Sequence, residues 1–222
     1  MPFTYRYPHP AVTTDIVIFT IRQDELKVLL IKRALPPHRN QWALPGGFIK
    51  LEESLEEGAK RELQEETGVT GVYLEQLYTF GRPDRDPRER VITVAYYALI
   101  PSDELEPKAA SDAENVSWFG LKELPDLAFD HKRILKMAHE RLVAKLDYST
   151  IAFQFMPKDF TLSELQHVYE VILREQIDKR NFRKRILSLN LIKETGKARK
   201  VGAHRPAKLY RVKNPNRIDF IK

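Results

Sequence analysis

Three glutamates in the first half of the chain have a spacing that suits metal binding. Glu62, Glu65 and Glu66 stand at positions i, i+3 and i+4, so a helix would place all three carboxylates on one face. Like charges at this spacing destabilise an isolated helix. Carboxylate oxygens are ligands that Mg²⁺ prefers, and a bound metal ion can generate hydroxide from water at neutral pH. The alternative is a solvated, glutamate-rich helix face.

Residues on both sides of these glutamates complete a longer pattern. They are Gly47, Glu53 and Arg61 before the glutamates, Leu63 among them, and Gly68 and Val69 after them. Together with the glutamates they match every specified position of the signature of the Nudix hydrolases, which this segment resembles. The resemblance implies an α/β/α sandwich with a mixed sheet. It also implies hydrolysis of a nucleoside diphosphate linked to another moiety, with Mg²⁺ or Mn²⁺ as the cofactor.

The same resemblance implies a role for each residue of the pattern. The metal ligands would be the three carboxylates and the backbone of the upstream glycine: Glu62, Glu65, Glu66 and Gly47. Glu66 or Glu65 would also assist the attacking water. Arg61 and Glu53 would form an orienting ion pair.

Other segments would select the leaving group of the substrate. A charged segment, Gly81–Arg90, lies between two predicted strands, and Leu127–His131 leads into a predicted helix. Together they resemble the branch of Nudix proteins that acts on ADP-ribose and related nucleotide sugars. Candidate contacts to phosphate or adenine are Arg33, Phe80, Arg82 and Trp118, and Glu114 is a candidate general base. A solvated surface loop is the alternative for the charged segment.

The composition excludes several other kinds of site. The chain of 222 residues contains no cysteine, which excludes disulfides, thiolate metal sites and a cysteine nucleophile. Its most apolar segment, Val94–Ile100, is much shorter than the roughly 18 residues of a membrane span. The first ten residues lack the basic segment and apolar core of a signal peptide. We therefore expect a soluble, cytoplasmic protein with no membrane partner.

Charge is distributed unevenly along the chain. Residues 151–222 contain 17 Lys and Arg against 7 Asp and Glu, which gives a net charge of +10, whereas residues 1–150 have a net charge of −4. We predict two domains on this basis, over 1–150 and over 151–222, and the resemblance identifies the first as a Nudix domain. A strongly basic domain suggests a polyanionic partner, although a solvated basic surface has the same composition.

Hydrophobic periodicity predicts the elements that position these residues. Residues 1–150 contain three strand-like runs and two helical segments: Val12–Ile21, Leu26–Ile31, Val91–Ile100, Ser54–Thr67 and His131–Leu146. In the basic domain, the sequence predicts helices over 161–173 and 178–189. Two strands follow at Leu191–Thr195 and Ala207–Val212, joined by a loop rich in Gly, Lys and Arg.

The order helix, helix, β-hairpin is typical of a winged helix-turn-helix, whose second helix enters the DNA major groove. In this second helix, Phe182, Ile186 and Leu189 form an apolar stripe, and Leu187 falls outside it. The predicted DNA contacts are four residues of this helix and one of the wing loop: Lys179, Arg180, Arg183, Lys184 and Arg205. A solvated amphipathic helix is the alternative.

Over nearly its whole length, the chain resembles the Nudix-related transcriptional regulators. The resemblance implies a homodimer on a palindromic, double-stranded operator, repression of NAD-biosynthesis genes, and ADP-ribose as the effector. Three hypotheses about function follow. The chain is a Mg²⁺-dependent pyrophosphatase fused to a DNA-binding domain, a catalytically silent repressor that senses ADP-ribose, or an ordinary hydrolase whose basic tail dimerises or contacts RNA.

Overall fold

The structure is a computed structural model that describes residues 6, 7, 9–101, 116–200, 206–215 and 217–221. The elements before residue 150 are β1 (Ala11–Arg22), β2 (Glu25–Lys32), β3 (Trp42–Ala43), β4 (Gly46–Phe48), α1 (Leu55–Thr67), β5 (Tyr73–Phe80), β6 (Val91–Ile100), β7 (Val116–Gly120) and α2 (His131–Tyr148). All the strands and helices predicted in this part are present, with ends displaced by at most two residues. The strands β3 and β4 are too short to show a periodicity.

These strands form one sheet in the order β3-β2-β1-β6-β5, with β4 paired to β1 and β7 paired to β2. The two long central strands are hydrophobic on both faces, so β1 and β6 are buried over almost their whole length. Such strands read as continuous apolar runs rather than alternating ones. The central strands therefore supply most of the core of this part of the chain.

Strand β4 brings the glycines of the predicted metal loop against β1. In the antiparallel register, Gly46 lies opposite Asp15 and Gly47 lies opposite Thr14. The approach is so close that a Cβ atom at Gly46 would lie 2.1 Å from the carbonyl oxygen of Thr14. A side chain at this position would therefore force the two strands apart, which explains why the sequence has glycine there.

Helix α1 starts and ends at residues that the sequence marks. Ser54 and Glu57 form a capping box at its beginning, and Gly68 ends it in the left-handed conformation at φ 73°. Both are standard signals for the ends of a helix. Ala59 and Leu63 are buried, as the predicted apolar stripe requires, and Leu55 is only partly covered. The helix therefore packs its apolar stripe against the core.

The chain divides into two compact units, and the division falls inside α2, between Ala138 and His139. The first unit contains the described residues up to Phe19, Val28–Ala98, and the described residues that end at Ala138. The second contains the rest of the chain from His139 together with Thr20–Lys27 and the residues that begin at Leu99. Our predicted domain boundary at residue 150 lies at the end of α2 and stays a prediction. No helix in the described residues is long and apolar enough to cross a membrane.

After α2 come a 3-10 helix (Ile151–Phe155), α3 (Leu162–Leu173), α4 (Lys179–Ser188), β8 (Ile192–Arg199) and β9 (Ala207–Val212). Thr161 begins α3 with a capping box, and Asp178 begins α4 by accepting the N–H of Asn181 at 2.7 Å. Phe160 exchanges two backbone hydrogen bonds with Tyr210, which fastens the segment before α3 to the hairpin. The predicted order of helix, helix and β-hairpin is confirmed.

The hairpin differs from the prediction at the end of its first strand. We predicted that the strand stops at Thr195, and β8 in fact continues to Arg199. Gly196 lies at φ 76°, and the pairing with β9 shifts its register between Glu194 and Ala198. A bulge with a left-handed glycine lets a strand continue past an irregularity, so Gly196 marks a bulge and not the start of the loop. Most of the wing loop, including Arg205, lies outside the described residues.

Candidate functional site

Glu66, one of the predicted metal ligands, faces β4 and is largely withdrawn from water. Its Oε2 accepts the backbone N–H of Gly46 at 2.7 Å. Burial raises the pKa of Glu66 to about 8, and the nearby carboxylates of Glu62 and Asp15 act in the same direction. A carboxylate buried beside other carboxylates is stable in its charged form only with a positive partner. Glu66 is therefore poised to bind a cation.

Arg61 binds the carboxylates on either side of it. Its Nη2 and Nε donate to Glu53 at 2.6 and 2.9 Å, and its Nη1 donates to Glu62 at 2.6 Å and to Glu65 at 3.1 Å. The hydrogen bonds from Arg61 lower the pKa of Glu53 to about 2. The structure thus brings Arg61 and Glu53 together as predicted. The guanidinium also holds the other two predicted ligands.

The donor set suits a divalent cation, although the side chains are not yet arranged around one. Among the described residues, no three His, Asp or Glu side chains stand together in a group that could hold a metal ion. The reason is that Glu62 and Glu65 turn toward Arg61. At Gly47, however, a Cβ atom would lie 2.3 Å from Oε1 of Glu62, so only glycine leaves room for this carboxylate beside the backbone. Carboxylate and carbonyl oxygens are what a hard cation takes as ligands.

A buried ionic cluster beside this site was not predicted from the sequence. Arg85 donates to Asp15 at 3.1 Å and to both oxygens of Asp130 at 2.8 and 3.3 Å. All three side chains are mostly or wholly buried. Burial opposes the ionisation of Asp15, yet His131 and Arg85 hold the pKa of this carboxyl below its ordinary value. Arg85 therefore anchors the charged segment Gly81–Arg90 to β1 and to the residue before α2.

His131 ties the same cluster to the predicted metal loop. Its Nδ1 accepts the backbone N–H of Leu44 at 2.9 Å, and its Nε2 lies 3.5 Å from Asp15. Because Nδ1 is an acceptor, the proton of the neutral ring belongs on Nε2, toward the carboxylate. Leu44 lies two residues before Gly46, so the first turn of α2 fixes the loop that meets Glu66.

Phe129 forms a second cluster with three basic side chains. Its backbone is in the left-handed region at φ 53°, which is unusual for a bulky residue and is often found at functional sites. The guanidinium carbon of Arg33 lies 4.8 Å from the centre of the ring and that of Arg88 lies 5.9 Å from it. His38 contacts the ring edge-on at 4.7 Å. Of these residues, only Arg33 was predicted.

The other predicted substrate contacts are less well placed. Phe80 is buried and packs edge-to-face on Tyr78, so its ring cannot stack on a base, and that prediction needs correction. Arg82 is exposed and pairs with Asp84 in its own loop. Trp118 lies in β7 and is partly covered. Glu114 lies outside the described residues. Arg85, Asp86 and Arg88 were not among the predicted site residues. Asp86 is buried and pairs with Arg88, and the sequence signals this segment only by its alternating charges.

The predicted nucleic-acid face is carried by α4. Lys179, Arg180 and Lys184 are exposed, and Phe182 and Ile186 on the other side of the helix are buried. Four other cations of this region bind within the protein. Arg183, which was also predicted to contact DNA, binds Ser163, and the other three pairs are Arg185 with the carbonyl of Asp147, Arg199 with Glu164 and Arg211 with Asp159. The face open to a partner is therefore narrower than the composition suggested.

Comparisons with known proteins match both parts of the chain. Residues 11–138 match the family model described as NUDIX domain, and residues 152–212 match the one described as NrtR DNA-binding winged helix domain. The chain is 41% identical over 209 residues to the ADPR responsive transcriptional repressor NtrR of Acinetobacter baylyi, which covers 92% of this chain and 83% of that protein.

Two further relatives represent an enzyme and a solved complex. An ADP-ribose pyrophosphatase of Methanocaldococcus jannaschii is 42% identical over 130 residues, 59% of this chain and 73% of that enzyme. The crystal structure of Shewanella oneidensis NrtR complexed with a 27mer DNA is 40% identical, with a TM-score of 0.84 over 92% of this chain and 95% of that one. The predicted fold class, a Nudix domain followed by a winged helix, is thereby confirmed.

Proposed function

Since the chain belongs to the NUDIX domain family and continues into an NrtR DNA-binding winged helix domain, we propose that it is a transcriptional repressor that responds to ADP-ribose. The observation that carries the proposal is that one chain contains both the carboxylate set on α1, which suits a nucleotide diphosphate with its metal ion, and the basic helix α4, which suits DNA. The similarity to a relative named for both properties extends over 92% of the chain. The proposal places the nucleotide site in residues 1–150 and the DNA site in residues 151–222.

The Phe129 cluster supports a diphosphate as part of the ligand. Burial lowers the pKa of Arg33, and the neighbouring guanidinium of Arg88 adds to this effect. Two guanidinium groups that repel each other are stabilised by an anion between them, and the guanidinium fork matches phosphate oxygens. ADP-ribose supplies two linked phosphates. Phe129 adds an aromatic ring beside them.

Hydrolysis of the effector is a second proposed activity, favoured by the complete carboxylate set on α1. Family members generally use a divalent cation, and Mg²⁺ or Mn²⁺ held by Glu62, Glu65, Glu66 and the backbone at Gly47 would polarise the diphosphate and supply hydroxide. Arg61 would hold Glu62 and Glu65 on one side, with Glu53 orienting Arg61. Gly46 would hold Glu66 through its N–H. We propose ADP-ribose as the substrate, cleaved to AMP and ribose 5-phosphate.

For the winged helix, we propose that α4 enters the major groove of an operator that controls NAD-metabolism genes. The side chains of Lys179, Arg180 and Lys184 are exposed, and other cations of α4 lie beside them. They are therefore available to phosphates and base edges. A homodimer would read a palindromic operator with two copies of α4, one in each half-site.

The proposal is tested by linkage between the two ligands of the full chain. An operator is first selected from random duplex DNA at moderate salt, and its affinity is then measured by fluorescence anisotropy with and without ADP-ribose, in EDTA to prevent turnover. We expect ADP-ribose to weaken operator binding by about 5- to 150-fold, the usual range of coupling between two sites. Linkage requires that the operator weaken ADP-ribose binding by the same factor.

The controls for this measurement are AMP and ribose 5-phosphate, each of which lacks the intact bridge between adenosine and the second ribose. Neither should match the effect of ADP-ribose. Selection of no operator would exclude the regulator and leave the ordinary hydrolase. An operator affinity that does not change when ADP-ribose is added would exclude a role as an ADP-ribose sensor. Hydrolysis of ADP-ribose with no effect on DNA binding would identify the chain as a hydrolase without a regulatory role.

Substitutions on α4 should separate base contacts from phosphate contacts. We expect Arg180→Ala or Lys184→Ala to weaken binding to the selected operator by about 1–3 kcal/mol if the side chain reads a base. If it contacts only phosphate, binding to all sequences should weaken equally, and the salt slope should fall by about one. Lys122→Ala removes one exposed positive charge outside the winged helix and is the matched control. An equal loss in this control would mean that net charge alone governs binding.

A further inference from the structure

Leu187 is a large apolar side chain that the fold leaves uncovered on α4. Its exposed fraction is 48%, and in the described part of residues 152–221 the other exposed large apolar residue is Phe220, which stacks on Tyr148. A single exposed leucine is common on protein surfaces. Its exposure alone therefore assigns no role, and its position on the helix is what matters.

The position of Leu187 places it in line with two exposed cations. Arg180, Lys184 and Leu187 are spaced i, i+4 and i+7, so they lie along one face of α4. Phe182 and Ile186 are buried on the opposite face, at 5% and 2% exposure. The outward face of α4 therefore presents an apolar side chain at its carboxyl end and positive charges before it.

A second copy of the same face is a poor occupant for this surface. Helix α4 contains five cations, Lys179, Arg180, Arg183, Lys184 and Arg185, and no acidic residue. A two-fold symmetric contact through this face would place the same positive charges against each other. The charge instead favours a polyanion, and residues 151–222 carry a net charge of +10.

We propose that Leu187 contacts the C5-methyl group of a thymine in the major groove and thereby contributes to operator sequence specificity. This inference rests on the proposed function, since it requires that α4 lie in the groove. The thymine methyl is the one apolar group that the major groove presents, and apolar side chains read it. Arg180 and Lys184 would hold the helix to the phosphates or base edges beside it, and Leu187 would distinguish thymine from the other bases at its position.

The experiment removes the methyl group from the DNA and the leucine from the protein. An operator selected with the full wild-type chain is resynthesised with each thymine replaced in turn by deoxyuridine, which lacks only the methyl. Anisotropy titrations then compare the wild type with Leu187→Ala. We expect deoxyuridine at one position of each half-site to weaken wild-type binding about three- to fivefold, the effect of one buried methyl-sized group. Leu187→Ala should bind at least this much more weakly and should not respond to the same replacement.

Two further variants make the result specific. Leu187→Met keeps an apolar side chain of similar reach and should retain the preference for thymine over deoxyuridine. Leu35→Ala removes a leucine outside the winged helix that is more exposed than Leu187, and this variant should bind like the wild type. Because Leu187 is exposed, Leu187→Ala should keep the melting temperature of the wild type.

The proposal is overturned if no deoxyuridine position distinguishes the wild type from Leu187→Ala. It is also overturned if Leu187→Ala binds as tightly as the wild type, or if the substitution changes the sedimentation coefficient, which would place Leu187 between two copies. Failure to select any operator would overturn the proposed function as well. Operator binding without a thymine-methyl effect would overturn the role of Leu187 alone.

Discussion

Replacing Arg85 with methionine is expected to lower the free energy of unfolding by about 3–5 kcal/mol, the usual effect of removing one partner from a buried ion pair. Arg85 is buried and binds Asp15 and Asp130 at the same time. Methionine fills a similar volume but leaves both carboxylates without their cation. The loss of stability should therefore come from two buried carboxylates that have no cation beside them, and not from a cavity.

Acid sensitivity gives the same variant a second expected result. The ordinary pKa of Asp15 is 3.8, and the pKa in the folded protein is lower. The stabilisation from ionised Asp15 is thus complete above about pH 4 and is lost as the pH falls through the lower, folded value. Without Arg85, the folded pKa should rise toward or above 3.8, so ionised Asp15 no longer stabilises the fold, and the difference in unfolding free energy between the wild type and Arg85→Met should shrink as the pH falls below about 4.

Urea unfolding followed by tryptophan fluorescence measures both effects. The two tryptophans of the chain, Trp42 and Trp118, belong to the first compact unit, so the signal reports on the part that contains Arg85. The matched control is Arg82→Met in the same loop, where the ion pair with Asp84 is exposed and should contribute little to stability. Equal losses in the two variants would show that Arg85 has no special role.

The Arg85 cluster also shows where prediction from the sequence ends. The α1 site could be predicted because its signals are local, with a capping box at Ser54, glutamates at helical spacing and a glycine at the end. Arg85, by contrast, is 70 residues from Asp15 and 45 from Asp130. Only the pairing of the sheet and the path of the loop bring these residues together. A charged loop in the sequence has no property that distinguishes its buried arginine from its solvated ones.

The winged helix shows the same division between local and tertiary information. The caps of α3 and α4 and the order of the elements follow from short-range patterns. The commitment of Arg183, Arg185 and Arg199 to partners within the protein does not, because each partner lies at least 20 residues away. Composition therefore overestimates the number of cations available to DNA, and the wing strand extends further than Gly196 suggested.

Replacing Glu66 with glutamine is expected to lower the rate of the proposed metal-dependent hydrolysis of ADP-ribose at least about a hundredfold, the scale of a metal ion's contribution to generating hydroxide. Glutamine has the same size and can still accept the N–H of Gly46, which Glu66 binds at 2.7 Å. The substitution removes only the charge. Release of AMP with Mg²⁺ or Mn²⁺ measures the rate, and calorimetric titration of Mn²⁺ should show weaker binding to the variant.

In EDTA, the free energy of unfolding of Glu66→Gln should not fall below that of the wild type. Burial raises the pKa of Glu66 to about 8, so the ionised carboxylate opposes folding when no cation is bound, and neutral glutamine removes this penalty. The variant should be at least as stable as the wild type without metal, which separates lost activity from unfolding. Glu56→Gln makes the same change at an exposed position of α1 and should leave turnover unchanged.

Full turnover in Glu66→Gln would contradict the assignment of Glu66 as a metal ligand. A wild type that binds ADP-ribose but never cleaves it would instead identify the chain as a silent sensor, with the carboxylates of α1 retained for binding.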